Sequence, residues 1–198
     1  ANAADSQGQT TLNHAATSLY YAPRSGRLNI MRLLLEAGAD PNVADTESGM
    51  TPLMMAVSKC EEATVQMLLS HGADANAADS HGRTFLYYAA TSLFYVASSG
   101  RLDIMRLLLE AGSDPNAADT ESGKTPLMMA AREGDEAMMR MLLSHGADAN
   151  TADLHGETSL YYATRCSGRL DIVRLLLEAG ADPNVADTEI GETPLMNA

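Results

Sequence analysis

The apolar residues of this chain fall in short bursts at helical spacing, and the bursts recur. In "RLNIMRLLLEAG", residues 27–38, the residues Leu28, Ile30, Met31, Leu33, Leu34 and Leu35 form a wide apolar face on a helix that turns about 100° per residue. The segment returns as "RLDIMRLLLEAG" at 101–112 and "RLDIVRLLLEAG" at 169–180. A shorter relative, "MLLSHGADAN", occupies 67–76 and 141–150. Gly38, Gly72, Gly112, Gly146 and Gly180 follow these bursts directly and suit the left-handed residue that ends a helix. "ADPN" or "ADAN" then leaves as extended chain, whose Asp and Asn can bond nearby backbone and hold a turn.

A second, smaller burst precedes the first. "GMTPLMMAV" starts at Gly49 and "GKTPLMMAA" at Gly123. Thr is a good N-cap and Pro fits the first helical position, so a short first helix begins there. In these blocks a polar break such as "REGDE" at 132–136 separates it from the second helix. Each block therefore reads as first helix, turn, second helix, extended finger.

Block-opening glycines set the period. Gly8, Gly49, Gly82, Gly123, Gly156 and Gly191 are separated by 41, 33, 41, 33 and 35 residues, so a pair of blocks spans 74. Phe94 and Tyr95 lie one such pair beyond Tyr20 and Tyr21, as Tyr161 and Tyr162 do beyond Tyr87 and Tyr88. The expected organisation is one repeat domain over 1–198, with blocks at 8–48, 49–81, 82–122, 123–155 and 156–190 and a partial block at 191–198. Residues 1–7 read as the tail of an earlier finger and neither end carries a polar cap, so a segment of a longer array is expected.

Thr-Pro-Leu at the front of a block and Leu-Leu-Leu-Glu-Ala-Gly-Ala-Asp at its back make the chain resemble the ankyrin repeat family over essentially its whole length. The resemblance implies an all-α fold, a solenoid of stacked helix-turn-helix units with β-finger loops. It also implies a concave side of fingers and first helices that contacts partner proteins. The family's 33-residue period is met only in the even blocks. Odd blocks carry an extra finger residue, as in "NVADTESG" at 42–49 against "NAADSHG" at 76–82. Blocks one and three also hold tandem seven-residue insertions, "TSLYYAP" at 17–23 and "TSLFYVA" at 91–97. Seven residues are close to two helical turns. A first helix about two turns longer is expected there, with a bulged loop as the alternative.

Charge narrows the partners. The 198 residues carry 26 acidic and 13 basic side chains, a net charge of −13. That field repels nucleic-acid backbones and anionic lipid and favours a basic segment. No apolar run approaches the roughly 20 residues of a membrane helix, and "ANAADSQGQT" lacks the build of a signal peptide. Cys60 and Cys166 occupy non-equivalent repeat positions and form no CxxC. An intracellular, reducing compartment is therefore expected, and neither a disulfide scaffold nor zinc.

No catalytic, cofactor or metal site is expected. His71 and His145 close equivalent second helices, where a cation meets the helix dipole. No GxSxG, HExxH or phosphate-cradling glycine loop occurs in the sequence. Asp45, Asp79, Asp119, Asp153 and Asp187 recur at one finger position, which points to a backbone-bonding turn role. Glu47, Glu121 and Glu189 occupy the extra finger residues and are freer to meet a partner.

The expected partner surface adds Met50, His81, Arg83, Lys124, His155 and Glu157 beside the block-opening glycines. It also takes Tyr20, Tyr21, Tyr88, Phe94, Tyr95, Tyr161 and Tyr162 from the first helices. Adjacent aromatics on a helix point about 100° apart, so either one of each pair reaches the surface or both pack inside. Met54, Met55, Met128, Met129, Met138, Met139 and Met141 read as core filler. The leading function is a non-enzymatic protein-binding scaffold. The alternatives are a structural subunit gluing a larger assembly, or a regulatory domain cut from a larger enzyme or channel.

Overall fold

A computed structural model describes residues 3–4, 10–11, 24–45, 49–59, 61–90, 98–165 and 170–197, with backbone alone at 24–27 and 98–101. Among the described residues the regular elements are helices: α1 (Arg24–Glu36), α2 (Pro52–Ser58), α3 (Glu62–Ser70), α4 (Phe85–Ala90), α5 (Ser98–Glu110), α6 (Pro126–Glu133), α7 (Glu136–Ser144), α8 (Ser159–Thr164) and α9 (Leu170–Glu178). Extended pairing there is limited to isolated bridges such as Ala78 to Thr84 and Ala152 to Thr158 at finger stems. The expected β-fingers are thus turns with one bridging pair.

Two compact units share the chain: unit 1 is Ala1–Phe85 with Val96–Ser113, and unit 2 is Leu86–Tyr95 with Asp114–Ala198. In unit 1, α3 packs against α1, α2 and α5. In unit 2, α6 packs on α7 and α8, and α9 on α7 and α8. The apolar face legible in α1 is buried only in part: Met31 and Leu35 are buried and Leu28 and Leu34 half-buried, while Ile30 and Leu33 are 52% and 64% exposed. Met31, Val65, Leu68, Met105 and Leu108 are fully covered in unit 1, and Met128, Met138, Met139, Leu142 and Leu176 in unit 2. Burying each such side chain contributes about 1.5–3 kcal/mol relative to exposure. Met54, Met55 and Met129 are buried too, while Met141 is half-buried, so six of those seven methionines fill core.

Helix starts follow the expected chemistry. Oγ1 of Thr51, Thr125 and Thr158 accepts from the backbone N–H three residues on, each at 3.4 Å, and Pro52 and Pro126 occupy the first helical positions. In the polar break, Gly134 ends α6 in the left-handed region at φ 76° and the Asp135 carboxylate caps α7 through Met138 N–H at 3.1 Å. α1 and α5 begin at Arg24 and Ser98, three residues before the expected arginines. A helical glycine costs only about 1 kcal/mol against alanine, which the apolar faces of these helices outweigh. The seven-residue insertions lie outside the described residues.

The finger asparagines do more than hold their own turns. Asn42 Oδ1 accepts Asp74 N–H at 2.7 Å and its Nδ2 donates to the Gly72 carbonyl at 3.1 Å. Asn116 repeats this with Asp148 and Gly146, and Asn150 with Asp182 and Gly180. Each side chain therefore fastens one repeat to the carbonyl at the end of the next repeat's second helix, a group left free by helix geometry.

Candidate partner-binding surface

Among the described residues, five fingers are each built on a buried aspartate. Asp45, Asp79, Asp119, Asp153 and Asp187 are 5–8% exposed. Asp119 shows the scheme: Oδ1 accepts N–H from Glu121 at 2.9 Å and Ser122 at 2.7 Å, and Oδ2 accepts the Ser122 hydroxyl at 2.6 Å and Lys124 N–H at 3.1 Å. Burial alone would raise the Asp119 carboxyl, but the hydrogen bonds from Ser122, Lys124 and Glu121 outweigh it and hold the group below the ordinary carboxylate range. Asp187 is lowered mainly by the Ile190 N–H, with Glu189, Glu192 and Gly191 adding to it against burial. The expected turn role of these aspartates is what the structure shows.

Neighbouring fingers of unit 2 also bond to each other. Leu154 N–H donates to the Ser122 carbonyl at 3.0 Å, and Thr188 donates to the His155 carbonyl from both N–H and Oγ1 at 2.8 Å. Such close approach leaves no room for a side chain at two block-opening positions, Gly123 and Gly156. A Cβ on Gly123 would stand 3.0 Å from Leu154 N, and one on Gly156 2.8 Å from Thr188 Cγ2, and both glycines have positive φ.

Aspartates thus turned inward, the residues around them set the surface chemistry. In unit 1, Arg83 ties its guanidinium to Asp79 at 2.7 and 2.9 Å and donates to His81 Nδ1 at 3.0 Å. In unit 2, Glu157 occupies the corresponding place. Its Oε2 accepts the Tyr162 hydroxyl at 2.6 Å, while Asp153 Oδ2 lies 2.7 Å from the same hydroxyl. Burial, then the two carboxylates, push the Tyr162 phenol far above its ordinary value. Lys124 Nζ stands 5.5 Å over the Tyr162 ring and the Arg165 guanidinium 5.7 Å over Tyr161, both within cation–π range. Met50 N–H is spent on Asp45 at 3.2 Å, and Met50 is half-buried.

A cleft of about 170 Å³ opens in unit 2. His155, Glu157, Tyr161 and Glu189 from the expected surface converge on it, joined by Arg165, Ile190, Glu192 and Asn197. His155 Nδ1 lies 2.9 Å from Glu189 Oε1 across the two fingers. Glu121 is exposed on the next finger.

The aromatic pairs settle differently. Tyr161 and Tyr162 are both buried, at 4% and 8% exposure, and meet edge to face at 6.4 Å. By exposure the inside alternative holds for them, and Tyr161 also lines the cleft. Tyr87 and Tyr88 are half-buried, edge to face at 6.2 Å. Tyr20, Tyr21, Glu47, Phe94 and Tyr95 lie outside the described residues. His71 and His145 sit one residue past their helices, where Nδ1 is 2.8 Å from the Met67 carbonyl and 2.9 Å from that of Met141. With the proton on Nδ1 each ring caps its helix by a hydrogen bond rather than by charge alone.

Among the exposed apolar residues that the sequence reading passed over, two sit at finger tips. Leu154 is 67% exposed and Ile190 72% exposed, both on unit 2 fingers. The signal was available. Leu154 stands 74 residues after Ser80, and Ile190 replaces the serine of "ADTESG" at 44–49 and 118–123.

The description "Ankyrin repeats (3 copies)" matches residues 19–119 and 93–187. The mouse B-cell lymphoma 3 protein homolog is 35% identical over 114 residues, which are 58% of this chain and 24% of that protein. Human ankyrin repeat domain-containing protein 63 is 37% identical over 116 residues, 56% of this chain and 28% of that protein. A putative ankyrin repeat protein of fowlpox virus (strain NVSL), FPV031, is 36% identical over 125 residues, 62% of this chain and 35% of that protein. The chain thus spans about a quarter to a third of the length of these relatives. The crystal structure of the ankyrin repeat domain of Bcl-3, described as a unique member of the IkappaB protein family, matches all of this chain and 81% of that one. The TM-score is 0.82 at 30% identity. Ankyrin repeats are protein–protein interaction modules. On the residues matched and the fold shared, the chain belongs to the ankyrin repeat family.

Proposed function

We propose that the chain is a non-enzymatic scaffold that binds a protein partner along its fingers and the starts of its first helices. The observation that carries the reading is the division of labour in the fingers. Buried aspartates hold rigid turns, and Glu121, Glu157, Glu189 and Glu192 decorate them in unit 2. Rigid, preorganised loops lose little entropy on binding, and a mostly acidic edge speeds encounter with a basic segment. Among the described residues no helix is long and apolar enough to cross a membrane. The reading places the chain in a reducing compartment, on the non-equivalent positions of Cys60 and Cys166.

The test is a pull-down comparing the intact chain with a Glu121→Lys/Glu189→Lys variant. Both changes fall on exposed side chains, so the fold is expected to survive. A partner should be retained by the intact chain and lost from the variant in low salt. Capture of no protein, or equal capture by both forms across salt concentrations, defeats the reading.

A further inference from the structure

Resting on the scaffold reading above, we propose that the finger edge of unit 2 docks an extended partner segment in which a lysine or arginine is flanked by aliphatic residues. The first observation is the pair of apolar tips. Leu154 and Ile190 are 67% and 72% exposed. Each stands where this chain elsewhere writes serine, at Ser80 for the first and at Ser48 and Ser122 for the second. The turn itself does not require them, because Ser122 makes the same aspartate-bonded finger that Ile190 makes. Single exposed apolar residues are ordinary on a protein surface. These two lie on adjacent fingers joined backbone to backbone through Thr188 and His155; Ile190 borders the cleft, and the Leu154 side chain lies beside Gly123 on its other side.

The second observation sets the sign of the occupant's charge. Ile190 borders the 170 Å³ cleft, whose walls carry Glu157, Glu189 and Glu192 against the single guanidinium of Arg165. The whole chain has a net charge of −13. A cationic side chain is drawn into that field and an anionic one is repelled. The cleft's size admits one side chain and not a folded element. Apolar tips and a negative cleft together fit a basic–aliphatic peptide.

The probe is an end-blocked peptide, Ser-Ile-Ser-Arg-Ser-Leu-Ser, titrated into the isotopically labelled 198-residue chain and followed by NMR. Amide shifts should cluster at 154–157 and 187–192. A Leu154→Ser/Ile190→Ser variant, which copies the chain's own serines, should bind about tenfold more weakly, the scale of losing one strong interface anchor. Glu189→Lys/Glu192→Lys should abolish binding, and a peptide with Glu in place of Arg should not bind. Thermal melts of both variants check that the fold is intact. Shifts elsewhere, or an affinity unchanged in the serine variant, overturn the proposal. Equal capture of a lysate protein by the intact chain and by the serine variant overturns it as well, and leaves the scaffold reading standing.

Discussion

The fingers at 79–83 and 153–157 have the same skeleton and opposite surfaces. In both, a buried aspartate accepts the backbone N–H two and four residues on: His81 and Arg83 at 2.8 and 3.0 Å, His155 and Glu157 at 2.9 Å each. In both, an isolated bridge closes the stem. They differ at two positions: Leu154 stands where the other finger has Ser80, and Glu157 where it has Arg83. Arg83 folds back and neutralises Asp79 at 2.7 Å. Glu157 cannot do so, and Asp153 and Glu157 instead converge on the Tyr162 hydroxyl. The comparison separates two tasks that one short motif performs. The aspartate makes the turn, and the residue four places on decides whether the finger shows a satisfied pair or a net negative edge.

The largest effect should come from removing the common part. Asp79→Ala and Asp153→Ala each orphan two backbone donors next to a buried position, and each is expected to cost about 2–4 kcal/mol. Urea unfolding measures both. If the two costs differ by more than the uncertainty of the fits, the fingers are not equivalent scaffolds and the division above fails. Acid should act through the same aspartates. Asp119 and Asp187 have lowered values in the folded chain, so their contribution is present above the unfolded value, about 3.9. It is lost as pH falls below about 4, through the folded values. Asp119→Asn should flatten that acid limb in a stability profile.

Tyr162 ranks next. Tyr162→Phe removes the only hydroxyl between two carboxylates, and is expected to cost about 1–3 kcal/mol at neutral pH. Its phenol is raised in the folded chain, so this stability is complete below the unfolded value of about 10 and is lost as pH rises above it. The wild-type chain should therefore weaken between about pH 10 and 12 more steeply than Tyr162→Phe. Parallel alkaline profiles for the two would remove the hydroxyl from the account of this finger.

Much of this was legible in the sequence, and the rest was hidden for physical reasons. Leucine bursts, Thr-Pro starts and glycine stops report local periodicity, and α2, α3, α6 and α7 follow them closely. The finger aspartates were legible because they recur in register. The tyrosine pairs were not. The 100° rule offers an inside and an outside only to a helix with a free face. α8 has none: Ser159, Leu160, Tyr161, Tyr162 and Ala163 are all between 1% and 8% exposed, since α6 and α9 pack against it. Nor could spacing show Tyr162 reaching Asp153, nine residues back through a turn and a helix start. Leu154 and Ile190 were visible as departures from the chain's own serines. A reading tuned to recurrence passes over the positions that break it.

Exchanging the fourth residue sharpens the comparison directly. Arg83→Glu breaks the Asp79 pair and sets two carboxylates together, and should cost about 1–2 kcal/mol, since Arg83 is only 31% exposed. Glu157→Arg loses the Tyr162 contact but places a guanidinium near Asp153, so its net change should stay within about 1 kcal/mol. Chemical denaturation of the two single variants reads this asymmetry. Symmetric losses would mean that the aspartate does not discriminate between the two neighbours, and that the surface difference has no energetic counterpart.

The smallest effect is expected where the two fingers of the cleft touch through side chains. His155 and Glu189 are 52% and 68% exposed at 2.9 Å. Solvent screens such a pair and ordering two side chains offsets its attraction, so His155→Gln should change stability by less than about 0.5 kcal/mol. The fingers stay joined without the imidazole, because the Thr188 N–H and hydroxyl bond the His155 carbonyl and not its ring. Thr188→Ala removes one of those two bonds and should cost more, about 1 kcal/mol. Finding the order reversed in matched melts would make the side-chain pair the true clasp of the cleft. The fingers would then be joined by the His155–Glu189 side-chain contact, and the backbone ladder would be a consequence of that contact rather than its cause.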